Sequence, residues 1–194
     1  EKKINSKRYG FDNRGVMVYE WTIASLASRA SSAGWRYFNS IEDGARATKG
    51  WFKVVAPDDD NDNTFKDYEE TYGTFAAKDA SDENERWYYA DGDGKLATGE
   101  IKKIKGKYYG FRPEGGRSSA MLNGLVFMRV VNGEITDVYD DDVDSDELDD
   151  IMNGEIYDTD WPSGIYSDPN VSLYYFGNDE DADGALKTGS VTVN

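Results

Sequence analysis

Trp51, Trp87, Tyr88 and Tyr108 are the side chains of this chain whose type and placing could do chemistry. Flat aromatic faces stack on sugar rings where they stand exposed, and on one another where they do not. Trp35, Trp51 and Trp87 lie at the edges of the repeated phrases described below, so both roles are open to them. Tyr88 and Tyr108 head two aromatic pairs and join them as candidate ligand contacts, with packing between repeats as the competing role. Trp161, in "TDWPSG", reads as a loop residue or a local plug.

Carboxylates are the other reactive groups. A pair of them suffices for glycoside hydrolysis, yet no motif singles out two of the 38 acidic residues. "DEDADG", Asp179 to Gly184, opens like a calcium loop, but Ser190 stands at the twelfth position where a bidentate Glu belongs, which favours a solvated turn. Between Val130 and Leu186 there is no Lys or Arg, a concentration of acid that serves solubility or weak cation binding. Cysteine and histidine are absent, which removes disulfides, thiolate nucleophiles, the usual zinc ligands and the commonest general base. A net charge of −16 argues against nucleic acid and against an anionic membrane surface. No apolar run approaches a membrane span, and "EKKINSKRYG" lacks the apolar core of a signal peptide, so an exported form would be a processed piece. Nucleophile elbows, phosphate-binding glycine loops and metal helices are missing, and neither an enzyme nor a cofactor is expected.

The elements that must position the rings emerge from self-similarity. "WYYADGDGKLATGE" (87–100) and "YYFGNDEDADGALKTGS" (174–190) share Gly, then Leu at +2, Thr at +4 and Gly at +5. Looser copies are "RYGFDNRGVMVYEW", "WRYFNSIEDGARATKGW" and "KYYGFRPEGGRSSAMLNGL". Tyr, Phe and Trp favour strands, while Asp-Gly and Asn-Gly supply the positive φ of tight turns, so each copy reads as one hairpin. A lone hairpin buries too little apolar surface to be stable, so the copies must stack on their neighbours. The reading is an all-β, solenoid-like array of stacked hairpins with irregular and short helical inserts. On it, Tyr88 and Tyr108 occupy equivalent positions.

Two further hairpin signals are Lys105-Gly106, between Ile104 and Tyr108, and Asn132-Gly133, between two β-rich runs. In "DSDELDDIMNG", Asp144 can cap, Leu148, Ile151 and Met152 share a helical face and Asn153-Gly154 can terminate, which predicts a helix of about two turns. "ASLASRASSAG" (24–34) and the stretch opening with "PDDDNDN" (57–63) read as inserts, the second a loop with a short helix around Tyr68. The chain thus divides into two degenerate copies (1–55), an insert (56–86), two consecutive copies (87–135), an acidic insert with a short helix (136–170) and a final truncated copy (171–194).

These copies resemble the cell-wall-binding repeats of Gram-positive surface proteins, the family of choline-binding and glucan-binding repeats. The resemblance implies a non-catalytic region of an exported protein, at the cell surface or in the wall. Its implied partners are cell-wall polysaccharide, teichoic acid or glucan, with no nucleic acid and no membrane insertion. In choline sites of that family, a Trp after Gly, a Trp before Tyr-Tyr and a Tyr from the next hairpin surround a quaternary amine. Gly50-Trp51 and Trp87-Tyr88 match two of those positions, whereas Glu100, Leu125 and Ser190 follow the last Gly of their copies where a Trp would stand. Choline is therefore not the expected ligand. A structural spacer or interaction stalk is the alternative function, and burial of Trp51 and Trp87 is the feature that separates the two readings. A glycoside hydrolase ranks behind both.

Overall fold

The computed structural model describes residues 1–12, 14–23, 35–40, 42–56, 76–77, 85–113, 119–155, 158, 160–177 and 184–188. The expected inserts at 24–34 and 57–63, the helix around Tyr68 and the calcium-like turn at 179–183 lie outside these residues. Among the described residues thirteen strands run in chain order: β1 (Lys2–Ile4), β2 (Lys7–Phe11), β3 (Met17–Val18), β4 (Glu20–Ile23), β5 (Trp35–Phe38), β6 (Gly50–Val55), β7 (Ala76–Ala77), β8 (Glu85–Ala90), β9 (Glu100–Ile104), β10 (Lys107–Phe111), β11 (Leu125–Val131), β12 (Glu134–Asp140) and β13 (Val171–Tyr175). Helix α1 (Ser145–Asn153) lies between β12 and β13. Two compact units form, Glu1–Thr98 with Glu114–Ala120, and Gly99–Pro113 with Met121–Asn194.

All pairing is antiparallel, and hairpins carry the array as the sequence predicts, but their boundaries fall half a copy away from the expected ones. Each aromatic strand is the second strand of its hairpin: β2 pairs with β1, β5 with β4, β8 with β6, β10 with β9 and β13 with β11. Beyond three of the aromatic strands the chain turns back for one isolated bridge, Phe38 to Arg46, Ala90 to Leu96 and Phe111 to Met121. The turns that follow are held by aspartate side chains: Asp12 accepts from the N–H groups of Arg14 and Val16, and Asp91 from those of Asp93 and Lys95. In sequence, residues 24–34, 56–84 and 132–170 separate the paired strands β4 and β5, β6 and β8, and β11 and β13.

Bridge geometry also realigns the copies. Ala47 donates to Tyr37 O, Ala97 to Tyr89 O, Leu122 to Gly110 O and Lys187 to Tyr175 O. Tyr88 therefore corresponds to Tyr109 and not, as expected, to Tyr108, whose counterpart is Trp87. Of the residues before those donors, Arg46, Leu96 and Met121 each bridge the preceding aromatic strand, as Met17 does opposite Phe11, and Leu186 holds the corresponding place by the Lys187 bond. Stacking reuses that position. A Cβ on Gly44 would lie 2.5 Å from Met17 Sδ, one on Gly94 2.6 Å from Arg46 Nε and one on Gly184 2.9 Å from Met121 Sδ. Each turn glycine is the seat for the bridge side chain of the copy before it.

The first unit packs Trp21, Tyr88, Ala90, Leu96 and Ala120 with Tyr37, Phe52 and Val54. Burying Trp21 or Tyr88 contributes roughly 2–3 kcal/mol each, and the Trp21 indole N–H is satisfied by Val55 O at 2.7 Å. In the second unit the sheet runs β10-β9-β12-β11-β13 and is covered on both faces. One face joins Leu122, Val126, Met128, Ile135 and Phe176. The other joins Phe127, Val143, Ile151, Trp161 and Ile165, so Trp161 is a plug rather than a free loop residue.

Both predicted short hairpins are present. Lys105 and Gly106 (φ 48° and 88°) turn β9 into β10, and Asn132 and Gly133 (φ 53° and 84°) turn β11 into β12, the left-handed pairs such turns require. Helix α1 starts at Asp144, which accepts from the N–H groups of Asp146 and Glu147 while the Glu147 carboxylate accepts from Asp144 N–H. Gly154, at φ 75°, ends it. Leu148 and Ile151 face the core, but Met152 is 73% exposed. At about 100° per residue it turns off the narrow seam that Leu148 and Ile151 share.

Candidate ligand-binding face

Strand periodicity of two sorts the rings of the β6–β8 hairpin onto opposite faces. The register sets Trp51 opposite Tyr89, Phe52 opposite Tyr88 and Lys53 opposite Trp87. Phe52 and Tyr88 point to the core, ring centroids 5.6 Å apart and nearly parallel, with Trp21 set edge-on to Tyr88 at 4.7 Å. Trp51, Trp87 and Tyr89 share the other face and are half-buried. Trp51 meets Tyr89 at 5.2 Å and 71° and Trp87 at 6.3 Å and 85°, both edge-to-face, so each ring fixes the orientation of the next. Lys53 stands across from Trp87 on the same side.

The four sequence-derived candidates thus separate. Trp51 and Trp87 come together on one face. Tyr88, fully buried, has no surface for a ligand and is a core residue, because adjacent strand positions point to opposite sides. Tyr108 belongs to the second unit and is 47% exposed, with the Lys103 ammonium 5.4 Å from its ring centroid, so a cation already sits over it. Tyr89 was missed by the motif, which weighs the Trp-Tyr-Tyr run as a pair. The usable signal was parity: Trp87 and Tyr89 are two apart and must share a side.

The hairpin's counterpart in the second unit presents a different face. There β11–β13 sets Leu125 opposite Tyr175, Val126 opposite Tyr174 and Phe127 opposite Leu173. Leu125, Phe127 and Leu173 occupy the places of Trp51, Lys53 and Trp87, and they pack beneath Val143, Ile151, Trp161 and Ile165. Arg129 fastens this cover, its Nε 2.7 Å from an Asp168 carboxylate oxygen. The same bond holds the Asp168 carboxyl below its ordinary value, helped by the N–H of Asn170. The tip segment has turned the corresponding face into a second core.

Among the described residues, no group of three acidic side chains is arranged to hold a metal ion, and no helix is long and apolar enough to cross a membrane.

No protein-family model matches the chain, and no curated protein matches its sequence. Solved structures do. Choline binding protein F from Streptococcus pneumoniae is similar at 16% identity and a TM-score of 0.40, over 96% of this chain and 58% of that one. CbpJ from Streptococcus pneumoniae TIGR4 is similar at 16% identity and a TM-score of 0.44, over 100% of this chain and 82% of that one. The modular autolysin LytC from Streptococcus pneumoniae is similar at 18% identity and a TM-score of 0.30, over 73% of this chain and 28% of that one. This chain spans less than two thirds of the length of choline binding protein F. These three similar structures are all of Streptococcus pneumoniae proteins.

Proposed function

We propose that this chain is a non-catalytic wall-binding region of an exported bacterial protein, which retains surface polysaccharide by stacking it on aromatic rings. The observation that carries the reading is the Trp51–Trp87–Tyr89 face, in which Trp51 braces both other rings, on the side of β6–β8 turned away from the core cluster. A sugar's C–H face gains from such a surface because the rings are already oriented and lose little freedom on binding. Support for a non-catalytic role comes from the economy of the fold, in which the repeated residues serve stacking.

Sedimentation with purified Gram-positive cell walls, or with an insoluble glucan, tests the proposal. The chain is expected to co-sediment and to release no soluble sugar. Trp51→Ala combined with Trp87→Ala should weaken retention by at least about tenfold while the β-rich fold persists. Millimolar choline is expected not to elute it. Elution by choline would assign a quaternary amine to the same three rings. A chain that neither walls nor glucans retain is a spacer.

A further inference from the structure

One hairpin of the second unit carries charge opposite in sign to that of the chain as a whole. Lys102, Lys103, Lys105, Lys107 and Arg112 all fall within residues 101–113, which contain no acid, in a chain whose net charge is −16. Lys102 is paired with Glu100 at 3.0 Å, and Arg112 with Asp141. Lys103, Lys105 and Lys107 are exposed around the closed end of β9–β10. Lys105 holds the left-handed turn, and Lys103 lies directly across the ladder from Tyr108. On the same side of the hairpin the inner positions belong to the core, Ile101 packing on the Leu122 and Phe176 cluster and Gly110 lying against Phe176. Lys103 and Tyr108 form the rim beyond it.

Copy register repeats this pair. Tyr108 is the counterpart of Trp87, and the residue across from each ring is a lysine, Lys103 and Lys53. In β11–β13 the same two places hold Phe127 and Leu173, so the lysine gives way to an apolar side chain where the place is core. The Lys103 ammonium stands 5.4 Å from the Tyr108 ring centroid, where a second cation would have to compete with it, and Tyr108 remains 47% exposed. A ligand suited to this rim has an apolar face for the ring and negative charge for the ammonium groups. We propose that the β9–β10 rim is a second saccharide site, selective for anionic chains, in which Tyr108 takes the sugar face while Lys103 and Lys105 take its phosphate or carboxylate. This assignment takes from the proposed function only that the ligand is a saccharide; its residues and its charge requirement are its own. Leu186 N–H donates to Tyr108 O, so the strand edge at Tyr108 is taken and the ligand meets side chains there.

Retention of the 194-residue chain on beads coupled to poly(glycerol phosphate), to polygalacturonate or to neutral dextran tests this. At least one anionic polymer should hold the chain more tightly than dextran does, the favoured one naming phosphate or carboxylate, and added salt should weaken that hold. Lys103→Gln with Lys105→Asn removes two charges and leaves an Asn-Gly turn, so it should cut anionic retention at least about tenfold with dextran retention and the thermal midpoint unchanged. Tyr108→Ala should cut it as well, which attraction by charge alone would not require. Lys103→Arg should preserve it. The proposal is overturned if anionic beads hold the chain no better than dextran, or if either the lysine pair or Tyr108→Ala leaves that hold intact. Equal retention on double-stranded DNA would assign the rim to polyanions at large and overturn it too. A chain that neutral glucan releases but anionic beads retain through these lysines would overturn the Trp51–Trp87–Tyr89 reading alone.

Discussion

Tyr88→Ala and Trp87→Ala are neighbouring substitutions whose outcomes should differ sharply, because β8 turns the two rings to opposite sides. Tyr88 is fully buried, with Trp21 edge-on at 4.7 Å and Phe52 stacked at 5.6 Å, so truncation opens a ring-sized cavity lined by aromatics. Aromatic-to-alanine cavities cost about 3–5 kcal/mol. For a chain of this size each kcal/mol moves the thermal midpoint by about 2–4 °C, so a drop of about 6 °C or more is expected. Trp87 is half-buried and leans on Trp51 at 6.3 Å, which limits its truncation to about 1–2 kcal/mol and a few degrees. Thermal unfolding followed by near-ultraviolet circular dichroism reads the first effect, and wall sedimentation reads the second. Trp87→Ala should lose retention with a nearly native midpoint. Equal midpoint shifts, or a larger one for Trp87→Ala, would refute the assignment of faces.

The Asp12 carboxyl is pushed up by burial, but the N–H groups of Val16 and Arg14 and the Arg14 guanidinium outweigh this and hold it below its ordinary value. Its stabilisation is therefore complete above about pH 4 and is lost as pH falls through the lower folded value; urea midpoints from pH 5 to pH 2 should decline, and Asp12→Asn should flatten that decline. Gly94→Ala sets a Cβ 2.6 Å from Arg46 Nε at φ 70° and should cost more than Gly133→Ala, which meets nothing within 4 Å, by about 1–2 kcal/mol in chemical unfolding. Arg129→Ala releases Asp168, so hydrogen exchange of α1 and of the Trp161 segment should quicken while β6 and β8 stay protected.

Local chemistry was legible wherever a short stretch decides its own shape. The Lys105-Gly106 and Asn132-Gly133 turns, and the Asp144 cap with its Gly154 stop, need no partner beyond a few residues and are found where their letters place them. Hairpin boundaries were not, because an Asp-Gly turn announces a reversal without saying how many pairs follow it: two pairs follow the Asp12 turn and a single bridge the Asp91 turn. Pairing β6 with β8 joins residues on either side of 56–84, a distance over which no local signal acts. The candidate face was half legible: Trp51 and Trp87 stand out by type, Tyr89 by parity alone. Tyr88 shows the limit of type, since the same ring serves a core or a ligand according to the side it faces.

Hairpin tips also set a timetable. The β9–β10 hairpin closes over Lys105 and Gly106, whereas β6 and β8 must find each other across residues 56–84. On a logarithmic closure law that difference costs about 2 kcal/mol of chain entropy before any packing is gained. Refolding should therefore begin at the two-residue tips, with β6–β8 zipping later against strands already in place. Lengthening the tip segments delays assembly of the ligand-facing rings while leaving the stacking seats, at the opposite end of each hairpin, free to form on schedule.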